Sequence, residues 1–304
     1  MPSPESKRLR ATLVNDRTTV GTPVETLRRE WEAAVRALSL PSNIAITAVD
    51  AGGVPAERIE CADTPKSPNL IVWLHGGGFN SGSCKTHRDL AARMARAAAT
   101  PVLTVDYRLA PEFPCPAAVE DAATAYRWLL RSGFSAEQIA IAGDSAGGGL
   151  AVAVLAKLRD EGVAMPAAVA LMSPWVDLAH SGDSLQSRAD VDPLTSQEGL
   201  QEAAGYYLGD RDPRDPLASP LYAELRGLPP MLIHVGDHEV LLSDATRLAE
   251  KARQAGVEVQ IDVWDEMWHC WHAWSEELPE ARDALAQMAQ FIRRRLRATP
   301  HPDR

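Results

Sequence analysis

The chain has 304 residues, 45% of them hydrophobic and 24% charged, with a formal net charge of −10. That length builds one large α/β domain or two small ones around a sizeable core, and the acidic balance argues against nucleic acid as a partner. No apolar run is long enough to span a bilayer, so no membrane partner is expected, and the polar stretch Met1 to Arg10 lacks the apolar centre of a signal peptide.

The four cysteines, Cys61, Cys84, Cys115 and Cys270, are scattered with no CxxC pair. They do not read as a disulfide framework, and a reduced, cytoplasmic protein is expected.

In chain order, residues 1–40 read as mostly helical. Thr22-Pro23-Val24-Glu25 marks a helix start with Pro just inside it, and Trp31, Val35 and Leu38 follow on one face. Ile44 to Val49 alternates, and Gly52-Gly53 then turns the chain into Ala56 to Cys61, which predicts a hairpin. Further strand-like runs lie at 70–74, 102–105, 139–142, 168–172, 231–235 and 257–263. Helical patterns lie between them at about 88–99, 117–132, 146–161 and 243–255, with a last one near 276–297. This alternation predicts an α/β fold, a mostly parallel sheet with helices on both faces. Residues 177–226 break the alternation. They carry many Asp, Pro and Gly and one helical piece near 196–208, and read as an insertion over one end of the sheet that joins residues 1–40 as a cap.

Two glycine clusters carry the chemistry. Gly143-Asp144-Ser145-Ala146-Gly147 lies between a strand and an amphipathic helix, the setting that a G-x-S-x-G nucleophile turn demands. The small residues permit the tight turn, the turn exposes the Ser145 hydroxyl, and the helix start offers backbone N–H groups and partial positive charge. The other readings are a serine helix cap on a glycine-rich turn, and a phosphate loop that would need a following Gly-Lys-Ser/Thr.

A serine hydroxyl needs a base. In α/β hydrolases the order is serine, acid, histidine, and of the eight histidines only His238, His269 and His272 lie late and outside strand or tail. His75 and His87 precede Ser145. His180 lies in the polar insertion, His234 reads as a core histidine in a strand, and His301 falls in the tail. His269 follows the last strand and is the expected base, with His272 its rival, or else packed on Trp268, Trp271 and Trp274.

The acid should follow the strand at 231–235, where Asp237 and Glu239 compete, and chemistry alone slightly favours the commoner Asp. A metal held by His234, His238 and His269 is a further reading without the usual motif spacing.

The run His75-Gly76-Gly77-Gly78-Phe79 follows a buried strand. Beside a G-x-S-x-G turn, such a run fits the loop whose N–H groups hold a tetrahedral oxyanion. Its simpler reading is an ordinary glycine turn.

These stretches, with Asp106-Tyr107-Arg108-Leu109-Ala110-Pro111-Glu112 and Gly236 to Leu241, resemble the hormone-sensitive-lipase-like esterases, bacterial family IV, in their GDSAG branch. The matches run from residue 75 to 269 in the family's order. The resemblance implies an α/β-hydrolase core of eight strands under a mostly helical cap (residues 1–40 before a catalytic domain of 41–304, with the insertion at 177–226). It implies cofactor-free hydrolysis of short-chain acyl esters. It puts Glu239 at the acid position, with Asp237 on a variable one, and Gly77, Gly78 and Ala146 in the oxyanion hole. It makes the 106–112 stretch a brace for the loops.

Phe79 and Trp175 are the expected substrate contacts, a small-molecule ester the expected partner, and pairing of two copies through the strand at 257–263 a further expectation. Lactone or small-amide deacetylating hydrolysis is a variant of the same chemistry. A non-catalytic small-molecule receptor is the alternative, and the presence of both Ser145 and His269 weighs against it.

Overall fold

The computed structural model describes residues 2–13, 20–36, 40–64 and 66–296. Leu38 and His301 lie outside the described residues.

Two helices open the chain, α1 (Pro4–Leu13) and α2 (Val24–Val35). Strands β1 (Ile44–Asp50) and β2 (Pro55–Cys61) form the expected antiparallel hairpin, with Ile44 opposite Cys61 and Asp50 opposite Pro55. Its turn uses Gly52 and Gly53 at φ +77° and +94°, values that a side chain would strain.

Strands and helices then alternate: β3 (Leu70–Leu74), α3 (Arg88–Ala98), β4 (Val102–Val105), α4 (Ala117–Arg131), β5 (Ile139–Asp144), α5 (Ala146–Asp160) and β6 (Ala168–Met172). The stretch after β6 carries a short α6 (Ser184–Ser187) and α7 (Gln197–Leu208). Then come β7 (Met231–Gly236), α8 (Leu242–Gln254), β8 (Val259–Trp264) and α9 (Pro279–Arg295).

The eight strands make one sheet in the order β1-β2-β4-β3-β5-β6-β7-β8. β2 pairs antiparallel with β4, and every pair from β4 through β8 is parallel. Central strands β3 to β7 are buried along their whole length, as strands covered on both faces must be. Side-chain alternation divides the core between the two faces. Leu70, Val72 and Leu74 pack with α4, α5 and α8, while Ile71 and Trp73 pack with α3 and α9. Edge strand β8 leaves Val263 half exposed.

β8 starts two residues later than the apolar run that predicts it. Val257 donates its N–H to Ala252 O and Gly256 donates to Arg253 O, with Gly256 at φ +82°. The end of α8 thus takes those residues for its Schellman cap before the strand can begin.

The loops after β3, β5, β6, β7 and β8 all leave the carboxyl ends of parallel strands, where open α/β sheets place their ligands. The N-terminal helices and the 177–226 segment reach the same loops. Arg28 of α2 donates to Asn80 O (2.7 Å) and Ala110 O (2.8 Å), and Tyr207 of α7 stacks on Phe79 with ring centroids 3.8 Å apart.

Candidate active site

Ser145 sits between β5 and α5 with φ +53° and ψ −122°. That region is costly for a residue with a side chain, so the surroundings must enforce it. They do so by close backbone approach. A Cβ on Gly147 would lie 2.0 Å from Leu74 O, and one on Gly143 would lie 2.4 Å from Gly147 O. The two outer glycines of G-x-S-x-G therefore let β3, β5 and α5 crowd together, and the turn between them has no relaxed alternative. Ser145 N–H donates to Met172 O (2.9 Å), and its carbonyl accepts from Trp175 N–H (3.0 Å), which holds the turn to the loop after β6.

The Ser145 hydroxyl meets His269 Nε2 at 2.9 Å. On the other side of the ring, His269 Nδ1 meets Glu239 Oε2 at 3.1 Å. Glu239 is fully buried, and its second oxygen accepts from Ser173 Oγ and Gly236 N–H, both at 2.7 Å. Gly236 is glycine for a local reason: a Cβ there would stand 2.0 Å from Met267 O.

Asp237 points elsewhere and accepts from Glu266 N–H at 2.6 Å. Of the two competing carboxyls, the structure brings Glu239 to the imidazole. Ser173, which also accepts from Cys270 N–H at 3.1 Å, carries no motif and is invisible in the sequence except as the residue that ends a buried strand.

The charges in this row are coupled. Burial raises the Glu239 pKa, against the pull of His269 and the Gly236 N–H. Burial disfavours the His269 imidazolium, yet the Cys270 sulfur and the Glu239 carboxylate outweigh it, and the net shift is upward. Cys270 Sγ lies 3.6 Å from His269 Nε2. Its own pKa is raised by burial, so at neutral pH it is a thiol and the lasting pull on His269 is the Glu239 carboxylate.

The other late histidines have other partners. His272 is fully buried, packs on the Trp271 ring at 3.9 Å and bonds through Nε2 to His234 Nδ1 at 3.2 Å. His238 contacts Arg10. The three histidines of the metal reading therefore face three different partners. Among the described residues, no group of three or more His, Cys, Asp or Glu could hold a metal ion.

In the glycine loop, Gly77 and Gly78 take φ +114° and +61°. Each glycine is also hemmed in. A Cβ on Gly76 would lie 2.3 Å from Asp144 Oδ2, on Gly77 2.3 Å from Ser81 O, and on Gly78 3.1 Å from the Ala203 Cβ of α7. Gly77 and Gly78 donate no N–H to another group among the described residues, and Ala146 opens α5, where the first N–H groups have no intrahelical acceptor.

His75 begins the loop. Burial beside His87 pushes its pKa down to about 3, so the neutral ring donates from Nδ1 to Gly76 O at 2.8 Å.

Phe79 and Trp175 are both buried. Phe79 is covered by Tyr207, and Trp175 packs between Phe79 and His180 at ring distances of 5.9 and 6.0 Å.

The 106–112 stretch is a set of anchors. Arg108 pairs with Asp121 (2.7 Å), Glu112 with Arg28 (2.7 Å), Asp106 accepts from Cys84 N–H (3.0 Å), and Tyr107 Oη donates to His75 O (2.6 Å).

A family profile described as alpha/beta hydrolase fold matches residues 71–273. An acetyl-hydrolase of Streptomyces hygroscopicus is 41% identical over 296 residues, covering 96% of this chain and 97% of that protein. A solved esterase from the bacterial hormone-sensitive lipase family shares 42% identity with a TM-score of 0.94, covering 98% of this chain and all of that one. The esterase EstE5, solved after soaking with p-nitrophenyl butyrate, also shares 42% identity, with a TM-score of 0.93 and coverage of 97% and 100%. The chain belongs to the α/β-hydrolase-fold family, within the bacterial hormone-sensitive-lipase group of esterases. It is a carboxylic ester hydrolase.

Proposed function

We propose that the protein is a serine carboxylesterase for short-chain acyl esters, acting through Ser145, His269 and Glu239. The observation that carries this reading is the single imidazole that spans 2.9 Å to Ser145 Oγ and 3.1 Å to Glu239 Oε2, the arrangement of nucleophile, base and orienting acid. His269 takes the Ser145 proton as the oxygen attacks the ester carbonyl. The N–H groups of Gly77, Gly78 and Ala146 receive the oxyanion. His269 then protonates the leaving alcohol, and water releases the acid from the acyl-enzyme. Glu239 keeps Nδ1 protonated and stabilises the imidazolium. No cofactor enters.

Residues 1–40 and 177–226 act as the cap that bounds the acyl pocket, and the buried Phe79 and Trp175 shape its wall. The acetyl-hydrolase relative and the butyrate ester soaked into a solved relative support a preference for short acyl groups. No helix among the described residues is long and apolar enough to cross a membrane, and no segment reads as a docking helix for lipid surfaces.

A series of p-nitrophenyl esters tests the reading. Turnover should be highest among the acetate-to-octanoate members and fall for longer chains. Faster cleavage of long-chain emulsions than of butyrate overturns the preference. Lactones and acetylated amides in the same panel measure the variant chemistries.

Edge strand β8, with Val263 exposed, leaves backbone groups unpaired, and this supports pairing of two copies through β8. Light scattering at micromolar concentration should report a dimer. A monomer removes this part of the proposal.

A further inference from the structure

Asp144 precedes the serine, is buried, and takes no part in the proton path above. Its carboxylate collects three donors, one from β3 and two from the segment between β3 and α3. Trp73 Nε1 of β3 donates to Oδ1 at 3.0 Å, and Gly76 N–H and His87 Nε2 both reach Oδ2 at 3.1 Å. Burial raises the cost of its charge, but His87, Trp73 and His75 outweigh it and keep its pKa below the usual carboxylate value.

His87 is held from behind. Its Nδ1 lies 2.8 Å from Thr86 Oγ1, and the Trp31 ring of α2 meets it edge-on at 5.5 Å between centroids. The same Trp31 lies 2.9 Å from where a Gly77 Cβ would be. A carboxylate oxygen can only accept, so the proton between His87 and Asp144 sits on Nε2.

These contacts form a chain that runs from α2 through His87 and Asp144 to Gly76. It ends one residue before Ser145 in one direction and one residue before Gly77 in the other. Gly76 lacks room for a Cβ because of Asp144 itself. The oxyanion donors and the nucleophile are therefore tied to each other through one buried carboxylate.

We infer that His87 and Asp144 are positioning residues that set the distance from Ser145 to the Gly77 and Gly78 N–H groups, with Trp31 sealing the pair from water. The inference rests on the serine-esterase reading. Oxyanion donors act only when aligned on the charge that develops in the transition state, so loosening this tie should cost transition-state binding and leave substrate binding in place.

The test compares His87→Leu, His87→Gln and wild type by steady-state kinetics on p-nitrophenyl butyrate and by inhibition with a short-chain trifluoromethyl ketone, which forms an oxyanion on the serine. In His87→Leu, kcat and the inhibitor affinity should both fall by about 10²-fold, the scale of one lost oxyanion donor, with KM nearly unchanged. His87→Gln keeps a donor toward Asp144 and should recover most of both.

A folded His87→Leu with wild-type kcat and inhibitor affinity overturns the inference, as does a lowered melting temperature with unchanged inhibitor affinity. If His87→Leu does not fold, Thr86→Val decides. It removes the partner of Nδ1 and should weaken the inhibitor severalfold, and an unchanged affinity overturns the inference. An active Ser145→Ala would instead sink the serine reading itself, so the two failures are distinct.

Discussion

Ser145→Ala should lose p-nitrophenyl butyrate hydrolysis by on the order of 10⁵-fold or more, the scale seen when a serine nucleophile is removed from a triad. The residue lies 2.9 Å from an imidazole whose other nitrogen bonds the fully buried Glu239 carboxylate. Alanine keeps the Cβ and therefore the strained backbone, so the melting temperature should stay near wild type. Ser145→Gly should be equally inactive but more stable by ~1 kcal/mol, because glycine tolerates φ +53° and ψ −122° without a side-chain penalty. Activity measured by turnover and stability measured by thermal unfolding thus move independently. Wild-type-like hydrolysis by a clean Ser145→Ala preparation would sink the serine mechanism.

The second large effect separates two carboxyls that lie two residues apart. Glu239→Gln should lose about 10⁴-fold in turnover, as when the orienting acid of a triad becomes an amide. Its amide can still accept from Ser173 and Gly236, but it presents an N–H to His269 Nδ1. The imidazole then keeps its proton on Nε2, facing Ser145, and cannot act as base. Asp237→Asn should stay within roughly tenfold, about 1.4 kcal/mol of barrier, because an asparagine oxygen can still accept from Glu266 N–H.

The same variant has a pH signature. The base must be the free imidazole, so activity is lost as pH falls through the His269 pKa. Burial lowers that pKa, but its neighbours, with Glu239 the lasting charge among them, raise it to a net position above the ordinary histidine value, which places the acid limb of the wild-type profile above the usual histidine range. Removing the Glu239 charge withdraws stabilisation from the imidazolium, so the limb of the residual Glu239→Gln activity should shift to lower pH. A dead Asp237→Asn beside an active Glu239→Gln reverses the assignment.

Much of this was legible from residue order. Strands β3 to β7 read as largely apolar runs because both faces of a central parallel strand are covered, and Ser145 was conspicuous because a strand-to-helix turn this tight must draw its small residues from a few adjacent positions. His269 could be singled out by its place after the last strand.

The acid could not be chosen from residue chemistry alone, and only the family register pointed to Glu239. Which of Asp237 and Glu239 turns inward depends on the neighbouring Gly236 N–H and on contacts with Met267 and Ser173, which are distant in sequence or carry no motif. For the same reason the sequence offers Phe79 and Trp175 as substrate contacts without showing that Tyr207 of α7 covers the first of them. Asp144 and His87, 57 positions apart, meet only because β5 lies beside β3 in the sheet and the loop from β3 returns over Gly76. Local sequence determined the turns, the periodic elements and the reactive side chains, since each depends on near neighbours. The tertiary structure decided which charges face one another, because a buried carboxylate is held only by donors that the fold brings from several elements at once.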